Sequence, residues 1–136
     1  MSEATPMAEG PKKPAAAVMI VDDDTNVRFF LRSYLKSRGI ADLLEATNGQ
    51  EAVDTMKGRP DIGMVITDLK MPVMDGVEVV RQLRQMKPSL NIVVLTGYPE
   101  YEGITETAKH WAMFVMKPIE LTDLDRILDS YLFGSH

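Results

Sequence analysis

The sequence predicts an α/β domain built on a parallel sheet, and three observations carry that prediction. Short apolar runs recur at residues 17–21, 62–67 and 91–95, without the polar alternation of a half-exposed sheet, as strands buried on both faces require. Between them lie segments whose apolar residues fall at helical spacing and which start or stop at capping residues, glycine or proline. The two kinds alternate along the chain as five strands and five helices, the pattern of right-handed crossovers in a parallel sheet.

Residues 17–21 are the first strand, and Asp22, Asp23 and Asp24 follow it. Residues 25–38 place Val27, Phe30, Leu31, Tyr34 and Leu35 at helical spacing, with Gly39 as the stop. Asp24 reads as the cap of this helix, because a carboxylate favours its positive end. Residues 43–46 are a short second strand. Asn48 caps a helix bearing Ala52, Val53 and Met56, and Gly58-Arg59-Pro60 ends it. The third strand, 62–67, runs into Asp68. Asp75 caps a helix with Val79, Val80, Leu83 and Met86 on one side. Residues 91–95 are the fourth strand, 99–110 a poorly patterned helix containing Gly103 and two threonines, and 112–115 the fifth strand. Leu121, Leu124, Leu128, Tyr131 and Leu132 mark the last helix.

Residues 1–14 read as a disordered tail, broken by Pro6, Gly10, Pro11 and Pro14; residues 15–133 are one domain, and 134–136 a frayed end. No apolar stretch approaches the roughly 20 residues a membrane helix needs, and the start lacks the pattern of a secretory signal. The chain has no cysteine, which excludes disulfides and thiolate chemistry. These features set the expectation of a cytoplasmic protein without membrane contact. A net charge of −5 argues against direct nucleic acid binding.

A parallel sheet lines up the carboxyl ends of its strands, and ligands bind along that edge. The residues just past the strands here are Asp22 to Asp24, Thr47, Asp68 to Lys70, Thr96 with Gly97, and Met116 to Pro118. Two strands therefore bring carboxylates together, a third adds the hydroxyl of Thr96 and a fourth the ammonium of Lys117. Clustered carboxylates repel unless a cation sits among them. Hard oxygen ligands suit Mg²⁺, which keeps several waters and takes only one or two carboxylates. A carboxylate nucleophile with a cation, a lysine and a hydroxyl donor has the equipment to accept a phosphoryl group.

Other readings of the acidic run fail. Asp22, Asp24 and Asn26 fit the opening of a calcium loop, but Val27 replaces its glycine and Ser33 its closing glutamate. A haloacid-dehalogenase-type phosphatase wants threonine where Asn26 stands. Arg28, Arg32 and Lys36 form one stripe on the first helix, read first as a solvated face and second as a docking stripe for an acidic partner. His110 and His136 read as surface residues and the ten methionines as core filler.

On these residues the chain resembles the receiver domain of two-component response regulators, the CheY-like family, from about Ala16 to Leu132. The resemblance implies a flavodoxin-like (βα)5 three-layer sandwich with a five-stranded parallel sheet in the order 2-1-3-4-5. It implies that Asp68 is the phosphoacceptor, that Asp22 and Asp23 with Asp68 hold Mg²⁺ or Mn²⁺, and that the backbone carbonyl of Lys70 is a further ligand. Thr96 matches the switch hydroxyl and Phe114 the aromatic switch. Lys117-Pro118 matches a pair whose peptide bond is usually cis. Met71-Pro72 and Asp75-Gly76 match the loop after the phosphoacceptor. Lys70 and Tyr98 stand where side chains affect the lifetime of the phosphoryl group. Two departures stand out: the stretch from Thr96 to Lys117 is about a residue short, and the usual Gly-Ala before the fifth strand reads His110-Trp111-Ala112.

The function implied is signalling by phosphoryl transfer from a sensor histidine kinase or a histidine phosphotransfer protein, catalysed only on the chain itself. The readout is a downstream protein effector, or a dimer formed on phosphorylation, at the face made by the fourth helix, fifth strand and last helix. Three alternatives stay open: a phosphorelay intermediate, a receiver-like binding module that is never phosphorylated, and a true phosphatase.

Overall fold

The computed structural model describes residues 17–69, 74, 76–97 and 112–133. Both tails, the helix expected over 99–110, and the positions Lys70, Met71, Pro72, Asp75, Tyr98, His110 and Trp111 lie outside them.

The strands are β1 (Ala17–Val21), β2 (Leu43–Ala46), β3 (Ile62–Asp68), β4 (Asn91–Thr96) and β5 (Met113–Met116). The helices are α1 (Thr25–Ser37), α2 (Gly49–Gly58), α3 (Gly76–Met86) and α4 (Leu121–Phe133). All strand pairs are parallel, in the order β2-β1-β3-β4-β5, which is the expected 2-1-3-4-5.

Successive strand residues point to opposite faces, so each central strand feeds two cores. On one face Ala17, Met19, Val21, Val65, Ile92 and Val94 pack against Ala52, Val53 and Met56 of α2 and Val79, Val80 and Leu83 of α3. On the other, Val18, Ile20, Ile66, Val93 and Leu95 pack against Leu31 and Leu35 of α1 and Leu124 and Leu128 of α4. Helices on both faces of one sheet make three layers.

Local chemistry sets the helix ends. Asp24 caps α1, its Oδ1 accepting the N–H of Asn26 at 2.8 Å. The helix closes through Gly39 N–H to the Lys36 carbonyl and Ile40 N–H to the Leu35 carbonyl, both at 3.0 Å, with Gly39 at φ +92°. That paired closure favours glycine because its turn needs a left-handed residue. Asn48 caps α2 by accepting the N–H of Glu51 at 2.9 Å, and Glu51 in turn accepts the N–H and hydroxyl of Thr47.

The fifth strand runs 113–116, one residue later than its apolar pattern predicts. Pairing with β4 decides this: Val93 faces Met113 and Thr96 faces Met116. As the sheet's last strand β5 has one neighbour among the described residues, and Met113 and Met116 stay more than half exposed. Among the described residues no helix is long and apolar enough to cross a membrane.

Candidate functional site

The carboxyl edge gathers its groups through strand register. β3 carries one extra residue against the start of β1, so Ala17 faces Ile62 but Val18 faces Met64. From there the pairing runs to Val21 opposite Thr67, which brings the next residues, Asp22 and Asp68, level. A one-residue slip in a strand moves its side chains to the other face, so this irregularity is part of the site.

Asp22, Asp23 and Asp68 each offer a carboxylate oxygen within 4.8 Å of the others. Asp22 is 2% exposed. It is held at two points of its own: its N–H donates to the Ala46 carbonyl at 3.1 Å, and its Oδ1 accepts the Asp24 N–H at 2.8 Å. Its Oδ2 is buried without a hydrogen-bond partner. Burial pushes the Asp22 carboxyl up to about 6, and the charges of Asp68 and Asp23 add to the rise against the opposing Asp24 N–H and Lys117. Repulsion among the clustered carboxylates is the smaller cause, and loss of water the larger one. A buried oxygen without a partner, beside two further carboxylates, could hold a hard divalent cation.

Asp68 ends β3, and among the described residues both of its side-chain contacts fall on Oδ1, which accepts the Leu69 N–H at 2.9 Å and the Lys117 ammonium at 3.1 Å. Lys117 directly follows β5, and its N–H donates to the Thr96 carbonyl at 2.6 Å. The Lys117-Pro118 peptide is cis. Thr96 is the last residue of β4 and is buried. Phe114 lies partly buried against the core shared with α2 and α3. The structure thus brings Asp22, Asp23, Asp68, Thr96 and Lys117 to one edge, and Lys70 and Tyr98 lie outside the described residues.

Gly76 supports the end of β3. Its N–H donates to the Leu69 carbonyl at 2.6 Å, and a Cβ there would stand 2.7 Å from the Asp68 carbonyl oxygen.

The stripe expected on α1 divides. Arg32 and Lys36 are exposed, but the Arg28 side chain is only 14% exposed. Its Nη1 donates to the Asp22 carbonyl at 2.7 Å and its Nε to Glu45 at 3.1 Å. Neither the solvated face nor the docking stripe foresaw this. The available signal was an arginine just past the first turn of a helix that opens on the acidic run, with Glu45 at the end of the adjoining strand.

Residues 18–129 match the response regulator receiver domain family. The chain is 33% identical over 105 residues to the chemotaxis protein CheY of Thermotoga maritima, covering 76% of this chain and 86% of that protein. It is 29% identical over 117 residues to sporulation initiation phosphotransferase F of Bacillus subtilis, covering 85% and 92%. Its fold matches the crystal structure of the Thermotoga maritima response regulator TrrA in complex with Mg²⁺-BeF, with a TM-score of 0.76 at 28% identity, over 86% of this chain and 99% of that one.

Proposed function

The chain belongs to the response regulator receiver domain family, and on that premise we propose that it takes a phosphoryl group from a phosphohistidine donor onto Asp68. The observation that carries this reading is the meeting of three carboxylates within 4.8 Å with the Lys117 ammonium 3.1 Å from Asp68.

With Oδ1 already engaged, Oδ2 of Asp68 is the oxygen we assign to attack on phosphorus. The P–N bond of the donor breaks as the O–P bond forms. The electron pair returns to an imidazole that carries its proton on the other nitrogen and leaves neutral. Water later cleaves the acyl phosphate, releasing inorganic phosphate and restoring the carboxylate. Lys117 offsets charge on the transferring oxygens, and Thr96 offers a hydroxyl to the phosphorylated state. Asp22, Asp23 and Asp68 would hold Mg²⁺ or Mn²⁺, with the Lys70 carbonyl as a further ligand, and the bound cation supplies positive charge at the phosphoryl oxygens.

Phosphorylation then biases a two-state equilibrium in which Thr96 moves to the phosphoryl group and Phe114 turns inward. The half-exposed Met113 and Met116 of β5, beside α4, belong to the surface a protein effector or a second copy would read. Lys70 and Tyr98 are assigned to the lifetime of the phosphoryl group, checked by decay rates in their alanine variants.

The test is incubation with acetyl phosphate and Mg²⁺ followed by intact mass. One added phosphoryl group in the wild type and none in Asp68→Asn is the expected result. No addition to the wild type would leave the chain as a binding module. Likeness to a relative named as a phosphotransferase favours a second reading, a phosphorelay intermediate. In that case the labelled protein loses its group faster when a histidine phosphotransfer protein is added, and the label appears on that protein.

A further inference from the structure

Arg28 touches the candidate cation site from behind. It sits just past the first turn of α1, and its guanidinium reaches back beneath the acidic run. Nη1 donates to the Asp22 carbonyl at 2.7 Å, Nε donates to Glu45 of β2 at 3.1 Å, and Nη2 lies 3.4 Å from the Thr25 hydroxyl. One planar fork therefore ties the end of β1, the end of β2 and the start of α1 together. Asp22 and Asp23 hang from the short backbone turn that this fork fixes. Asp22 is then held through its N–H by Ala46, its carbonyl by Arg28 and its Oδ1 by Asp24, which leaves Oδ2 as the buried oxygen without a partner.

We infer that Arg28 is a positioning residue for the cation site, acting through the Asp22 carbonyl, and that Glu45 holds it in register. The inference rests on the phosphoryl-transfer reading above. Groups that orient metal ligands carry about 10–100-fold of metal affinity when removed. Arg28 is itself a cation bonded to the backbone of a candidate ligand, so charge and position predict opposite signs. If Arg28 acts through charge, its loss relieves repulsion and tightens cation binding. If it acts through position, its loss loosens binding.

The experiment measures Mn²⁺ binding to the full chain by the decrease of the free-ion electron paramagnetic resonance signal. It compares wild type, Arg28→Ala, Arg28→Lys and Glu45→Gln, with thermal unfolding in EDTA alongside. Arg28→Ala is expected to weaken Mn²⁺ binding about tenfold. Arg28→Lys weakens it less, because one ammonium can reach the Asp22 carbonyl but cannot present the fork. Glu45→Gln weakens it least. The Mg²⁺ concentration for half-maximal labelling by acetyl phosphate rises in the same order, while the rate at saturating Mg²⁺ stays within about twofold of wild type.

Unchanged or tighter Mn²⁺ binding in Arg28→Ala overturns the inference, even if that variant melts earlier. Should Arg28→Ala fail to fold, the Arg28→Lys and Glu45→Gln comparison decides by the same criterion. A wild type that binds no Mn²⁺ and takes no phosphoryl group removes the underlying reading. A wild type that does both, with variants of equal affinity, removes only the role of Arg28.

Discussion

Lys117 meets Asp68 on one oxygen, Oδ1, at 3.1 Å, and the Leu69 N–H reaches the same oxygen at 2.9 Å. Among the described residues Lys117 is thus the cation bonded to Asp68, and a bound divalent ion would compete with it for that carboxylate. Lys117→Ala should slow labelling by acetyl phosphate about a hundredfold, the cost of losing one donor at a developing anion. The same variant should bind Mn²⁺ more tightly than wild type, opposite in sign to Arg28→Ala. A labelling time course by intact mass and a Mn²⁺ titration read the two effects separately. Equal labelling rates would remove Lys117 from the chemistry.

Asp22 should make the metal-free protein sensitive to pH. Its folded carboxyl titrates near 6 against an ordinary 3.8, so the folded state holds this proton more strongly than the unfolded one. The resulting stability is fully present below about pH 3.8 and is lost as pH rises through about 6. A shift of this size corresponds to roughly 3 kcal/mol. In EDTA at pH 7.5, Asp22→Asn should therefore unfold at higher urea than wild type, with the gap closing toward pH 4. Mg²⁺ should stabilise the wild type and leave Asp22→Asn nearly unmoved. A variant that is less stable than wild type at pH 7.5 in EDTA would contradict the burial argument.

What was legible in the sequence follows from range. The central strands announce themselves because burial on both faces demands unbroken apolar runs such as 17–21. The Asp24 and Asn48 caps are readable because their bonds span two or three residues. The strand order came from family resemblance, since periodicity does not rank neighbours. The start of β5 is not legible in its own pattern because an edge strand takes its register from β4. Arg28 was hidden for a different reason. Its partners Asp22 and Glu45 are 6 and 17 residues away, and only the packing of α1 beside two strand ends brings them together.

Three glycines should respond to the same substitution in different ways. A Cβ at Gly76 would lie 2.6 Å from Leu69 Cα and 2.7 Å from the carbonyl oxygens of Asp68 and Leu69, all backbone atoms that cannot swing away. Gly76→Ala should cost about 1–3 kcal/mol and slow labelling of Asp68, because relief requires the end of β3 to move. Gly58 ends α2 with nothing within 4 Å of a Cβ, so Gly58→Ala should gain about 0.5 kcal/mol from helix propensity. Gly39 has equal space but sits at φ +92°, so Gly39→Ala should lose about 1 kcal/mol from backbone strain. Urea unfolding ranks the three, and a neutral Gly76→Ala would sink the close-approach argument.

Arg38 and Tyr34 fasten α1 to α4, the two helices that share a face of the sheet. The Tyr34 hydroxyl donates to Asp125 at 2.5 Å, and Arg38 donates to the Tyr34 oxygen at 2.9 Å, to Asp125 at 2.8 Å and also to Asp129. The aspartates are about half exposed, so solvent screens the ion pairs and Arg38→Ala should cost only about 1–2 kcal/mol, part of it removed by salt. The phenol of Tyr34 is pushed up to about 12 by burial first and by its bond to Asp125 second. An acid whose folded value is raised contributes stability that is present below its ordinary value of 10 and lost as pH rises toward 12. Wild type should therefore weaken between pH 9 and pH 11 as the unfolded phenol begins to ionise, and Tyr34→Phe should weaken less over the same range. Urea unfolding at several pH values measures the difference directly. Parallel losses in both proteins would mean that the Tyr34 phenol ionises as easily in the fold as in the unfolded chain.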